Sequence, residues 1–240
     1  RTTMSRTPRF ARVAAALGAA TIALTLAACT PAAETTSEFV TDGKLTIGTG
    51  QPAYYPWVID DAPESGEGFE AAIAYAVADQ LGFAKDDVVW VRTTFDEAIA
   101  PGPKNFDFNL QQYSITDERK QTMDFSNPYF DAQQLIAVKE NSKVTKFADL
   151  KKLKVGVQTG TTGDEAVTKL QGKTSTNIKR FESTPLALKE LESGGVDAVV
   201  ADNGVVIHYV ANNPGGKFKT VADAEFVPEQ YGIALKKGNT

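Results

Sequence analysis

The 240-residue sequence holds one cysteine and one histidine, Cys29 and His208. A single thiol excludes any intramolecular disulfide, and one imidazole with one thiol cannot supply the three or four ligands of a His/Cys metal cage. No Ser-His-Asp or Cys-His constellation is readable around that lone histidine. It falls inside the helix-like run Val205-Val206-Ile207-His208-Tyr209-Val210, where a half-buried structural role is the plainer reading. Basic charge is also scarce. Four of the 25 Lys and Arg residues, Arg1, Arg6, Arg9 and Arg12, precede residue 29, a stretch with no Asp or Glu, which leaves 21 bases against 30 acids and a net charge of −9 for the rest. Phosphate binding needs clustered cations, so a nucleic-acid face is excluded as a partner surface. No solenoid-period repeat is present, and the phosphate-loop ending Gly-Lys-Ser/Thr is missing after Gly160-Thr161-Thr162-Gly163.

The amino-terminal segment reads as an address. Basic residues through Arg12 precede an uncharged apolar run, Val13 to Leu26. That run falls short of the ~20 residues a spanning helix needs and has the pattern of a secretory signal. Leu26-Ala27-Ala28-Cys29 resembles the lipobox of bacterial lipoproteins, in which the cysteine is acylated and becomes the new terminus. Residues 1–28 are therefore expected to be a signal peptide. Residues 29–42 are expected to be a lipidated Cys29 with a tether rich in Ala, Thr, Pro and Glu.

From Lys44 onward strand and helix patterns alternate. Leu45 to Gly48, Val88 to Val91 and Phe106 to Leu110 read as strands. Phe69, Ala72, Ile73, Ala76, Val77 and Leu81 form an apolar stripe of helical period closed by Gly82, and Phe95 to Ala100 reads as a short helix. A second unit follows the strand Leu135 to Val138. Its strands are Val155 to Val157, Ile178 to Phe181 and Ala198 to Ala201, and its helices Gly163 to Leu170 and Pro185 to Leu191. The alternation predicts α/β architecture with largely parallel sheets in two lobes. No helix pattern follows the strand Gly232 to Leu235, so a further carboxy-terminal helix is expected to be missing from this sequence.

The segments Ser114-Ile115-Thr116-Asp117-Glu118-Arg119 and Asp124-Phe125-Ser126-Asn127-Pro128-Tyr129-Phe130 together resemble the bacterial extracellular solute-binding proteins of family 3. Supporting blocks are Gly68 to Ala74, Val155 to Gly163 and Gly195 to Asp202, in the order and separation of that family. The resemblance implies a two-lobed periplasmic-binding-protein-like fold of type II with two hinge crossings, near Gln133 to Val138 and Glu225 to Ile233. It places 43–135 plus 229–240 in the first lobe and 136–228 in the second. It also implies a monomeric receptor without cofactor, anchored by lipid to the outer face of the membrane. Such a receptor delivers a free amino acid to an ABC importer permease and its ATPase.

An amino acid offers a carboxylate and an ammonium, so its site needs a donor fork, neutral donors and one acid. An isolated arginine is ordinarily solvated. The resemblance instead gives Arg119 and the Ser114 hydroxyl to the ligand carboxylate, and Thr162 to the same group from the second lobe. Thr162 also reads as a simple helix N-cap. Asp202 follows the strand Ala198 to Ala201, where open α/β sheets place ligands. It reads either as the ammonium acceptor, by resemblance, or as a cap for the next helix. Tyr54, and by the same logic Phe95, are expected to wall the ligand side chain, whereas Trp57 suits the core.

Neutral amides replace what the family commonly carries: Gln51 stands where a carboxylate is frequent and Gln112 where Gly or Ser is frequent. Gln158 falls at a position that reads the side chain. These residues predict a polar ligand without strong positive charge. A cyclohexadienyl-dehydratase-like enzyme and a ligand-sensing domain are the alternatives on this scaffold.

Overall fold

The structure is a computed structural model and describes residues 38–238, so the signal, lipid-attachment and most of the tether expectations lie outside the described residues. Twelve strands and five helices alternate through it. The first sheet is built from β1 (Leu45–Gly50), β2 (Val88–Thr93), β3 (Phe108–Asn109), β4 (Met123–Phe125) and, from the far end of the chain, β12 (Ala234–Lys236), in the order β2-β1-β3-β12-β4. Helix α1 (Phe69–Gln80) and the short α2 (Phe95–Ile99) connect its early strands. The second sheet comprises β6 (Gln134–Lys139), β7 (Val155–Gln158), β8 (Ile178–Phe181), β9 (Ala198–Asp202) and β10 (Phe218–Val221), ordered β10-β6-β9-β7-β8. Helices α3 (Thr162–Gln171), α4 (Thr184–Ser193) and α5 (Asn203–Asn212) belong to it. Between the sheets β5 (Phe130–Ala132) pairs antiparallel with β11 (Glu229–Tyr231).

The sheets are mixed, which corrects the largely parallel expectation. β1 runs parallel to β2 and β3, but β12 returns antiparallel against β3 and β4. In the second sheet β7 is parallel to β8 and β9, whereas β6 is antiparallel to both β9 and β10. The antiparallel members β6 and β12 are the strands that the ribbon delivers from one lobe to the other. β6 starts at Gln134, two residues ahead of the expected lobe boundary.

Strand periodicity explains the second core. Ile136 and Val138 of β6 face a cluster with Leu150 and Val167, and Leu135 and Ala137 face Leu188 and Leu191 on the other side. A sheet covered on both faces needs continuous apolar strands, as Ala198 to Ala201 provide.

Helix α1 forms where its spacing predicts, but a neighbouring face is buried. Ala71, Ala74, Ala78 and Glu70 are buried, while Phe69 and Leu81 of the expected stripe are 43% and 54% exposed. Alanines allow the helix to lie close on Leu45 and Ile47, a closeness that the larger stripe residues would prevent. Its entry is fixed by Gly68, at φ 108, where an added Cβ would lie 2.5 Å from the Trp57 carbonyl oxygen. Among the described residues no helix is long and apolar enough to cross a membrane.

Candidate functional site

Strand ends and helix starts from both sheets converge on a narrow cleft. From the first lobe comes Arg119, on a single 3-10 turn after the Ser114 bridge to Tyr231. It is 6% exposed. Its Nη1 donates to the Ser114 carbonyl at 2.9 Å, and its Nη2 reaches across the cleft to the Gly160 carbonyl at 3.1 Å. The guanidinium also lies over the Phe95 ring, 5.1 Å from its centroid. Burial pulls its pKa below the ordinary arginine value, opposed by the charges of Glu165, Asp202 and Glu229.

Gln112 lines the cleft in the left-handed region, at φ 52. Its backbone N–H donates to Glu70 Oε1 at 2.9 Å and its side-chain amide to Glu70 Oε2 at 2.5 Å, while the Tyr129 hydroxyl also bonds Oε1. The strained turn is thus held from beneath by a carboxylate that is 1% exposed. Gln111 spends its amide inward: Oε1 accepts from Thr93 Oγ1 and from the Tyr113 hydroxyl.

From the second lobe, Gln158 Oε1 accepts from the Tyr54 hydroxyl at 3.0 Å and from both the backbone and hydroxyl of Thr184, at 3.1 and 2.9 Å. The Tyr54 bond spans the cleft, and burial pushes its phenol up to about 12. The N-cap of α3 is Thr161, whose Oγ1 accepts from the Asp164 N–H, so the cap reading of Thr162 is corrected by one residue. Thr162 is left free to turn its hydroxyl into the cleft network.

Asp202 occupies the N-cap position of α5 without making a side-chain cap bond. That decides against its capping alternative. Its carboxylate instead accepts from Gln134 Nε2 and from the Tyr231 hydroxyl. Burial, reinforced by the charge of Glu229, pushes its carboxyl up to about 6. Arg119 is the one base and Asp202 the one acid among the residues lining the cleft, so opposite charges bracket a space otherwise walled by amides, hydroxyls and rings.

Arg119, Ser114, Thr162, Asp202, Tyr54, Gln112, Gln158 and Phe95 are therefore brought together. Gln51 is not. It is exposed and absent from the lining, in the bend that follows β1. Trp57 is 2% exposed in the core beside Ala132 and Tyr231. Residues that sequence reasoning left out are Thr184, Val205, Gln134 and Glu229. Thr184 carried a signal, being the residue before Pro185 at a helix start. Glu229 carried none: it is an ordinary acid in a polar stretch, brought to the cleft only by the ribbon pairing.

Residues 45–240 match the bacterial extracellular solute-binding proteins, family 3. The chain belongs to that family. A probable histidine-binding protein of Neisseria gonorrhoeae is 38% identical over 231 residues, covering 95% of this chain and 84% of the relative. The L-arginine-binding protein of Pseudomonas aeruginosa is 30% identical over 209 residues, with 84% and 79% covered. Among solved structures, an ancestral arginine-binding protein bound to glutamine aligns with a TM-score of 0.72 at 39% identity, covering 83% of this chain and 86% of that one. Such neighbours share the two-lobed fold. For this solute-binding protein, family membership means an extracytoplasmic location.

Proposed function

We propose that this solute-binding protein captures a free amino acid between its two lobes and delivers it to an ABC importer permease. The observation that carries this reading is the charge pair across the cleft, with the buried Arg119 fork and the Ser114 hydroxyl on one side and Asp202 on the other. Two Arg119 donors are fixed on main-chain carbonyls. The rest of the fork is placed to pair with an α-carboxylate, while Asp202 takes the α-ammonium. The lobes, 43–135 plus 229–240 and 136–228, close around the ligand about the β5 and β11 crossings. Occupancy then shifts an open–closed equilibrium by the ligand's differential affinity for the two states. The protein acts as a monomer held at the outer membrane face through acylated Cys29.

Because Asp202 is the one lining acid and is committed to the ammonium, no acid remains to pair a cationic side chain. Gln158, Gln112 and Thr184 instead offer neutral polar contacts. Polar uncharged or weakly charged amino acids are therefore favoured on the lining alone, while the relatives are named for histidine and for arginine, and an ancestral arginine-binding protein is bound to glutamine in one structure and to arginine in another. A thermal-shift screen of the twenty amino acids tests this, since ligand at about 100 times Kd stabilises by roughly 2.7 kcal/mol. Glutamine or histidine should give the largest shifts. Arginine or lysine binding tightest in calorimetry overturns the side-chain preference, and no shift with any amino acid overturns the receptor reading.

A further inference from the structure

Glu229 opens β11, in the ribbon that joins the two sheets, and one of its carboxylate oxygens holds both lobes. Oε2 accepts from Ser114 Oγ of the first lobe and from Thr162 Oγ1 of the second, the latter at 2.9 Å. Oε1 accepts from Gln134 Nε2 at 3.3 Å. These are the two hydroxyls that the amino-acid reading assigns to the ligand carboxylate. A hydroxyl carries a single proton to donate, so Ser114 and Thr162 can serve Glu229 or the ligand, but not both. Two carboxylates crowded onto the same donors also repel. Behind Glu229 lies an open outer groove, to which Lys169, Phe226 and the acids Glu165 and Glu225 contribute. The side chain has room to withdraw there, where Lys169 is the one lining cation that could pair it.

We propose that Glu229 is an internal stand-in for the ligand carboxylate. In the ligand-free closed form it clasps Ser114 to Thr162 across the cleft, and an incoming amino acid displaces it toward the groove. The identity of the displacing group rests on the amino-acid reading, whereas the clasp rests on the hydrogen bonds of Glu229 alone. Removing the carboxylate should therefore release the lobes when no ligand is present and remove a competitor when one is.

The test compares wild type with Glu229→Gln and Glu229→Ala by small-angle scattering without ligand and by calorimetry with L-glutamine and L-histidine. Ligand-free Glu229→Ala should be more open than wild type, and Glu229→Gln less so because its amide oxygen still accepts from both hydroxyls; Glu229→Ala should also bind the amino acid about tenfold more tightly, the scale of one charge-assisted hydrogen bond. A purely structural hinge role predicts weaker binding instead. Ligand-free scattering identical to wild type overturns the proposal, as does affinity that is weaker or changed by less than about twofold. If neither amino acid binds wild type, the receptor reading fails for these ligands and the scattering comparison alone decides the clasp. Should Glu229→Ala not fold, Glu229→Met, which keeps the side-chain length but has no carboxylate or amide oxygen, carries the comparison.

Discussion

Glu70 offers a quantitative check on how the first lobe supports the cleft. Its carboxyl is buried under Gln112 and Tyr129 with no cation among the groups that shift it. Desolvation therefore outweighs the three hydrogen bonds it accepts, and its pKa rises from 4.5 to about 7. A folded-state pKa above the unfolded one means that the native protein holds the proton more tightly. The resulting stabilisation is complete below pH about 4.5 and is lost as pH rises through about 7. At ~1.4 kcal/mol per pKa unit the swing is about 3 kcal/mol. For a domain of this size that is roughly 6 to 12 °C in Tm.

Glu70→Gln isolates the effect. The amide has the same shape, and turning over the half-exposed Gln112 side chain lets its carbonyl accept from the new amide, so the contacts survive while the titration disappears. Asp202, whose pKa is raised to about 6 from the same cause, titrates in both proteins and drops out of the difference. The measurement is Tm of ligand-free wild type and variant by differential scanning calorimetry from pH 4.5 to pH 8.5. Wild type should lose stability relative to Glu70→Gln across that window, by about 3 kcal/mol in all. A difference that stays flat with pH would refute the argument that an uncompensated buried acid holds the Gln112 turn.

Two further outcomes follow from the same geometry. Arg119→Ala removes the one base of the cleft and leaves Asp202 and the ligand carboxylate without their counter-charge; it should cost about 3 to 5 kcal/mol of binding, enough to take a micromolar ligand, worth about 8 kcal/mol, to near the limit of calorimetry. Micromolar affinity retained in that variant would move the site elsewhere. Gly68→Ala should destabilise the fold by about 2 to 3 kcal/mol without a matching change in ligand affinity, because φ 108 and the Trp57 carbonyl and Val58 Cα at 2.5 and 2.7 Å from the new Cβ are main-chain obstacles that cannot swing away. Chemical denaturation beside calorimetry separates the two effects.

The parts legible in the sequence are those whose information is local. Periodicity located α1, α3 and α4, and the strand at Ala198 announced itself by a continuous apolar run. Arg119, Ser114, Thr162 and Asp202 sit in short motifs and all reach the cleft. What stayed hidden is set by pairings between distant segments. β5 and β11 are only three residues each, too short for a period to mark them, and they pair with each other across a long sequence separation. Gln51 was expected in the cleft but lies exposed outside its lining, in a bend whose course a local motif does not fix.

The buried acids show the same division most sharply. Asp202 was legible as a cleft residue because it ends a strand of an open sheet, the side on which such sheets place their ligands. Glu70 lies on a helix whose apolar stripe, read by period, pointed to a neighbouring face; the alanines that turn it inward are weak hydrophobic markers. Glu229 has no local mark at all, yet it meets Ser114, Thr162 and Gln134 from three separate segments. A carboxylate in that place adds negative charge beside Asp202, in a cleft whose one lining base is Arg119. Such an arrangement is costly unless the acid has donors of its own, and the donors it uses are the ones a ligand would claim. On the proposed reading the same hydrogen bonds hold Glu229 in place until an amino acid displaces it.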